Sequence, residues 1–386
     1  MADPDWSSLL PDLVRRVGDL LLAAASDVDY YMDMRAVFRN WRSATVDPCQ
    51  NCNGIELHCL RPRHWVMLDE EEPTDGAHLF VNVLTGRYLR RQVPALREHV
   101  LVCAWDGILV VGKNNHPLHT IRVLNPFTGS LLRFKVPLPS YRTKAAVSGY
   151  GLTPSLVFSL DYIDDDVVWS ADPSSPHARI TYGPLVWLAS MVAYAGHIYM
   201  VDWAGSVHEI VWDDCFTYRH WIAQRPETFV PSYYAPEDSD PWEWHGYYLV
   251  EFDGELMLVR RPRLPSETME VFRVDVERRS LQPVKRVDSA LFLGERCLSI
   301  NADRFPSIDV NCIYYGTDDI WIDHHLQKCQ GIYRYDLDDG SEEWISGLLV
   351  PQSPSFDARP FSLVQVLVTY CAVLPDVEAQ VVKNKN

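Results

Sequence analysis

The sequence predicts a mainly β protein with a small α-helical domain at residues 6–45 and a β-propeller-like domain of six to seven blades at 71–386. A linker and lead-in at 46–70 joins them. Three observations carry this reading. Glycine turns recur at intervals mostly in the forties. Aromatic residues make up 12% of the 386, and 26 Pro outnumber 19 Gly, a composition of short strands and turns. Helical spacing is clearest in the first forty-five residues.

In that first segment Leu10, Leu13, Val14, Val17, Leu21 and Ala24 recur at i, i+3, i+4, i+7, the spacing of an amphipathic helix. Pro11 suits the first turn, where a missing N–H costs nothing, and Asp12 favours the positive end of the helix dipole. Ser26 with Asp29 reads as a capping box opening a second helix, which carries Met34, Val37, Phe38 and Trp41 at the same spacing. Thr45–Pro48 ends it, because the residue before a proline avoids helical geometry. A unit this small buries little surface and needs a partner, either the rest of the chain or another protein.

Past Pro48 the texture changes to apolar runs punctuated by turns. Leu79–Leu84 precedes Thr85-Gly86, and Thr120–Phe127 precedes Thr128-Gly129, each reading as strand, turn, strand. Another unit, a turn glycine followed by an apolar run, appears at Asp106-Gly107, Ala195-Gly196 and Asp253-Gly254, with weaker copies at Gly149 and Gly294 and a last turn at Asp339-Gly340. The glycines 107, 149, 196, 254, 294 and 340 are separated by 42, 47, 58, 40 and 46 residues. A period in the forties carried by turns and aromatics is that of propeller blades, and a pair of β-sandwiches is the main competitor. The longest apolar stretch, Phe361 to Leu374, is too short to span a bilayer.

Trp6-Ser7-Ser8-Leu9-Leu10-Pro11-Asp12-Leu13-Val14, then Val17, Leu21 and Asp27, then Arg35-Ala36-Val37-Phe38-Arg39-Asn40-Trp41-Arg42 resemble an F-box. One position departs from the family pattern: Phe38 stands where a Cys is usual. Further stretches extend the likeness, among them Trp41-Arg42-Ser43-Ala44-Thr45, Arg61 to Leu68, Val271 to Asp275, Ala290 to Gly294, Asn311 to Tyr315 and Tyr335 to Gly340. Together these resemble plant, notably cereal, F-box proteins with a kelch-like C-terminal domain of unknown function. The resemblance implies docking onto a Skp-type adaptor and through it a cullin, with Leu9, Leu10, Pro11, Leu13, Val17, Leu21, Val37, Phe38 and Trp41 as the adaptor-binding residues. It implies a substrate-receptor subunit of a ubiquitin ligase that catalyses nothing itself and holds an unknown target protein on the β domain. The alternatives are a β-propeller enzyme, or a scaffold whose divergent F-box serves no ligase.

Charge narrows the partners. With 35 Lys and Arg against 52 Asp and Glu the net charge is −17, which disfavours nucleic acid and anionic membrane surfaces. The acidic start, Met1 to Trp6, lacks the basic flank and apolar run of a secretory signal, and nine scattered Cys read as reduced thiols, so cytoplasm or nucleus is expected. No cofactor is expected. Cys49-Gln50-Asn51-Cys52 followed by His58-Cys59 could hold zinc, but no second such pair occurs and linker cysteines are the expectation. His324-His325 and the acidic runs Glu70–Glu72 and Asp164–Asp166 read as solvated loops. Phosphate-binding glycine loops, a G-x-S-x-G elbow and H-E-x-x-H are all absent from the sequence, so no catalytic residue is assigned. The segment Pro231 to His245 offers Tyr233, Tyr234, Trp242 and Trp244 beside acids, a candidate target-binding loop. Packing of its two Trp over a sheet edge is the alternative.

Overall fold

In the computed structural model of the chain the described residues are 5–25, 28–50, 55, 57–68, 76–105, 107–113, 119–138, 143–148, 155–160, 167–175, 179–182, 188–202, 204–212, 217–224, 246–261, 268–294, 296–317, 331–347 and 362–372. A 3-10 turn at Trp6–Ser8 leads into α1 (Pro11–Ala25), followed by α2 (Val28–Val37) and α3 (Arg39–Ala44). Pro11 does open α1. Ser26 of the expected capping box lies outside the described residues.

The single second helix read from Met34, Val37, Phe38 and Trp41 is two. Phe38 is extended (φ −132°, ψ 145°) and sits at the cap of α3. The break lets α3 fold back so that buried Arg35 reaches its far end. One guanidinium nitrogen donates to the carbonyls of Arg42 (3.1 Å), Thr45 (2.9 Å) and Val46 (2.6 Å) and to the Thr45 hydroxyl (2.8 Å). A cation there satisfies the unpaired carbonyls of a helix end and complements its dipole.

Twenty-four strands form six sheets among the described residues. Sheet one is β1 (Trp65–Met67), β2 (Ala77–Asn82) and β3 (Tyr88–Gln92), so the first strand already lies inside the segment read as linker and lead-in. Sheet two is β4 (His99–Trp105), β5 (Ile108–Lys113), β6 (His119–Leu124) and β7 (Leu131–Leu138). Sheet three is β8 (Thr143–Ser148), β9 (Ser155–Leu160), β10 (Val167–Ala171) and β11 (Arg179–Tyr182). Sheet four is β12 (Leu188–Tyr194), β13 (His197–Asp202), β14 (Ser206–Trp212) and β15 (Thr217–Gln224). Sheet five is β16 (Gly246–Phe252), β17 (Glu255–Arg261), β18 (Glu270–Asp275) and β19 (Ser280–Val284). Sheet six is β20 (Ala290–Leu293), β21 (Leu298–Ile300), β22 (Cys312–Thr317), β23 (Gly331–Asp336) and β24 (Glu342–Gly347), with β20 and β22 parallel. Sheets two to five are four-stranded antiparallel meanders whose first strands lie side by side in succession, the arrangement of propeller blades.

Two turn types repeat. Between first and second strands, Ala195-Gly196 (φ 49° and 86°) and Asp253-Gly254 (φ 50° and 74°) make two-residue hairpins that need left-handed backbone at both positions. Before a last strand, a polar side chain caps the turn. The Asn82 carbonyl oxygen accepts from the amides of Leu84 and Thr85 (both 3.0 Å), and that of Asn125 accepts from Phe127 (3.0 Å) and Thr128 (3.2 Å). Asp275 and Asp336 do the same for Arg278 (2.9 Å) and Asp338 (2.8 Å). The glycine period therefore mixed two frames. Gly107, Gly196 and Gly254 share the hairpin position, whereas Gly340 belongs with Gly86 and Gly129 in the capped turn, and Gly294 follows a strand. Gly149 lies outside the described residues.

Alternation along the strands builds a core between each pair of neighbouring sheets. Ile108, Val110 and Val123 meet Val147 and Leu156; Ala146 and Val168 meet Ile198 and Met200. Val201 and Ile222 meet Leu249 and Leu258, and Met257 and Val259 meet Leu291 and Ile313. Sheet six returns to sheet one through an added element, α4 (Leu363–Ala372), whose Val364, Leu367, Val368 and Cys371 are buried among Val66, Val81, Phe292 and Ile300. This wedge lies within the apolar stretch too short for a bilayer, and no helix among the described residues is long and apolar enough to cross a membrane.

The helical unit is mounted over sheets one and two. Val28 is fully buried among Trp65, Phe80, Leu101 and Phe127, Asp29 pairs with Arg87, and the Arg87 guanidinium lies 3.9 Å from the Tyr30 ring centre. The following strand of chain passes Gly107 so closely that an added Cβ would sit 1.8 Å from the Pro62 carbonyl oxygen. Arg63 then pairs with Glu251 on sheet five at 3.1 Å.

Candidate functional site

Helix α1 is apolar over an arc of about 200°, taking 100° per residue, wider than one helix contact requires. The structure divides that arc. Val14 (2% exposed), Gly18, Leu21 and Leu22 turn inward, where Gly18 lets Tyr31 approach to 3.0 Å of the position a Cβ would take. Leu10 (66% exposed), Leu13 (48%), Val17 (43%) and Leu20 (61%) turn outward to solvent. The single stripe read from Leu10, Leu13, Val14, Val17, Leu21 and Ala24 is thus two faces, because α2 and α3 cover only the Val14 side.

Of the nine residues expected at the adaptor site, Leu10, Leu13, Val17 and Val37 are exposed apolar side chains and Pro11 is exposed beside them. Leu9, Leu21, Phe38 and Trp41 are half-buried. Leu21 and Trp41 pack on the unit's own core of Tyr31, Met34 and Leu60. Phe38 meets Trp41 edge to face with ring centres 5.0 Å apart, and the Trp41 indole N–H donates to the Trp6 carbonyl at 3.2 Å. These rings fix the start of the chain against α3 and set the direction in which Leu10 leaves it. Leu20 and Trp6 are also exposed and stand outside those nine, although Trp6 opens the stretch that resembles an F-box. Leu20 was findable, falling three residues after Val17 and seven after Leu13.

Such a surface can bury apolar area against a partner and offers little else. Charged groups on α1 are confined to its solvent side, where the exposed Asp12 and Arg15 pair at 2.8 Å. Cys49 donates its thiol to the Thr128 carbonyl at 3.1 Å, and burial, with Asp47 nearby, pushes that thiol up. Burial also raises Cys59. Both shifts favour the protonated thiol in the metal-free chain. Cys52, Glu70–Glu72, Asp164–Asp166 and His324-His325 lie outside the described residues, as do Tyr233, Tyr234, Trp242 and Trp244 of the candidate target loop. Among the described residues no group of three His, Cys, Asp or Glu is placed to hold a metal ion.

A family model, the KIB1-4 beta-propeller, matches residues 79–336, two thirds of the chain and nearly all of its sheets. The chain belongs to the KIB1-4 β-propeller family. The KIB1-4 match begins after the helical unit and ends before α4, so it describes the ring and leaves α1 to be read from its own geometry. No curated protein matches the sequence. Among solved structures, similarity extends to the computationally designed protein Ika8 (13% identity, 65% of this chain and 63% of that one, TM-score 0.31). It extends also to TolB from Acinetobacter baumannii (10%, 69% and 58%, 0.33) and to BBS1N in complex with ARL6DN (13%, 70% and 72%, 0.33). The chain spans less than two thirds of the first two, and at these scores the likenesses add nothing to the KIB1-4 assignment.

Proposed function

We propose that this chain is the substrate-receptor subunit of a Skp–cullin–F-box ubiquitin ligase. The observation that carries the reading is the outward face of α1. Leu10, Leu13, Val17 and Leu20 form an exposed apolar row on a helix whose other face is anchored to the propeller. A Skp-type adaptor covering that row would tie the ring to a cullin, and the ring would hold a target protein near the ubiquitin-loaded enzyme. The chain's contribution is proximity, which makes transfer effectively intramolecular. Its place of action on this reading is cytoplasm or nucleus.

The helical unit is continuous with the ring through Val28, Trp65 and Phe127, so an adaptor on α1 would have a fixed orientation relative to the sheets. The direct test is titration of the full chain with a purified Skp-type adaptor. Saturable binding that Leu10→Ala with Pro11→Ala weakens supports the reading; no binding by the wild-type chain refutes it.

A further inference from the structure

Sheet two carries three cations that the helical site does not use. Arg122 on β6 stands directly opposite Arg133 on β7, and exposed Lys135 lies two residues beyond Arg133, in the stretch of β7 where the register against β6 shifts. Leu109, Val111, Leu124 and Leu131 pack from that face toward sheet one, while Val110, Val123, Leu132 and Phe134 pack from the other toward sheet three. The three cations therefore lie on the last two strands of sheet two, Arg122 and Arg133 on the face that packs toward sheet one. On sheet one, Leu89 and Arg91 of β3 share a face. Arg91 lies over the Phe127 ring at 5.1 Å, and burial lowers its pKa against the opposing pull of Asp29 and Asp33.

Like charges directly opposite across a ladder destabilise a sheet. Cations on an outermost strand such as β7 have an ordinary purpose, discouraging edge-to-edge pairing. Arg122 has no such purpose, since β6 is an inner strand of the sheet. Its Nε is buried without a hydrogen-bond partner. Among the described residues no acidic side chain forms an ion pair with Arg122, Arg133 or Lys135.

We propose that this cationic face binds an extended acidic peptide segment of a protein partner, laid along β7, the outermost strand of sheet two among the described residues. Acidic side chains at alternate positions of the segment meet Arg133 and Lys135, and Arg122 supplies a third, partly desolvated charge behind them. Edge pairing gives main-chain hydrogen bonds, and the two-residue spacing gives selectivity. Carboxylates and phosphates share the required geometry with arginine. The cationic face shares no residue with the outward row of α1, so failure of adaptor binding leaves it standing, and the reverse.

The test uses the full chain and two fluorescein-labelled octapeptides, one alternating Glu with Val and one alternating phosphoserine with Val, followed by anisotropy at low and high salt. Wild type is expected to bind at least one of them, more weakly in high salt. The Arg122→Gln, Arg133→Gln, Lys135→Gln triple variant should bind at least about tenfold more weakly, while Arg278→Gln on sheet five has no effect. The tighter peptide identifies the anion. Arg122→Gln alone should leave Tm unchanged or raised, because a like-charge contact has gone. The proposal is overturned if the triple variant binds as wild type does, or if neither peptide binds. It is equally overturned if Arg122→Gln lowers Tm, or if a single-stranded oligonucleotide binds more tightly than either peptide.

Discussion

Replacing Leu20 by Asp and, separately, Val14 by Asp separates the two faces of α1. Leu20 is 61% exposed in the chain alone, so an aspartate there costs folding little, within about 0.5 kcal/mol for a surface change. Val14 is 2% exposed, and a carboxylate in its place loses apolar burial and is itself desolvated, a cost of at least about 3 kcal/mol. Adaptor binding reverses the order of interest. A partner that covers Leu20 buries the exposed three fifths of its side chain, and full burial of a leucine is worth about 1.5–3 kcal/mol, so truncation to Ala alone should weaken binding by about 1–2 kcal/mol. Aspartate adds the desolvation of a charge and should abolish binding at micromolar adaptor. Differential scanning calorimetry reads the first quantity and isothermal titration the second. Equal adaptor affinity for wild type and Leu20→Asp, or a fall in Tm for Leu20→Asp as large as that for Val14→Asp, refutes the two-faced helix.

Gly18→Val should lower stability by about 1–3 kcal/mol in urea titration, since its branched carbons enter the 3.0 Å gap to Tyr31. Leu367→Ala, in the wedge between sheets six and one, should cost about 2–5 kcal/mol by the same measurement. Burial pushes Tyr314 up to about 12 and Cys312 up to about 11 from ordinary values of 10.0 and 9.0. Both groups are neutral when protonated, so the unfolded chain releases its protons first. Stability should hold below about pH 9 and fall as pH rises toward 12; Tyr314→Phe should flatten the upper part of that fall in a pH series of melting temperatures. Chelator should leave Tm unchanged and elemental analysis should find less than about one zinc per chain, since Cys49 already donates its thiol to Thr128.

The parts of the fold fixed by local chemistry were legible. Asp253-Gly254 and Ala195-Gly196 announce hairpins because few residues accept left-handed backbone twice in succession, and Thr85-Gly86 and Thr128-Gly129 announce capped turns. What the spacing could not separate was which strands each glycine joins, since both turn types use the same residue for the same torsion. The division of α1 was hidden for a different reason. Val14 and Val17 differ only in what lies across from them, and Tyr31, Met34 and Leu60 reach that position through contacts distant in sequence. The cations of sheet two were invisible as a group, because Arg122 and Arg133 become neighbours only once β6 and β7 pair. Arg35 appeared in the sequence as part of a motif; its role in holding α3 against α2 needs the break at Phe38.

A ring imposes an order on its own completion. The residues that wedge sheet six against sheet one, Val364, Leu367, Val368 and Cys371, follow every described strand and so leave the ribosome after them, at a rate of about 5–20 residues per second. Until then the cluster that holds Val66, Val81, Phe292 and Ile300 lacks its four helical members, and the apolar flank they cover is left open. Chaperones that hold apolar surface would engage this flank late in synthesis, after most of the molecule has already folded. A message cut short before codon 363 would yield a chain that cannot retire that flank at all, and two such chains side by side could close on each other.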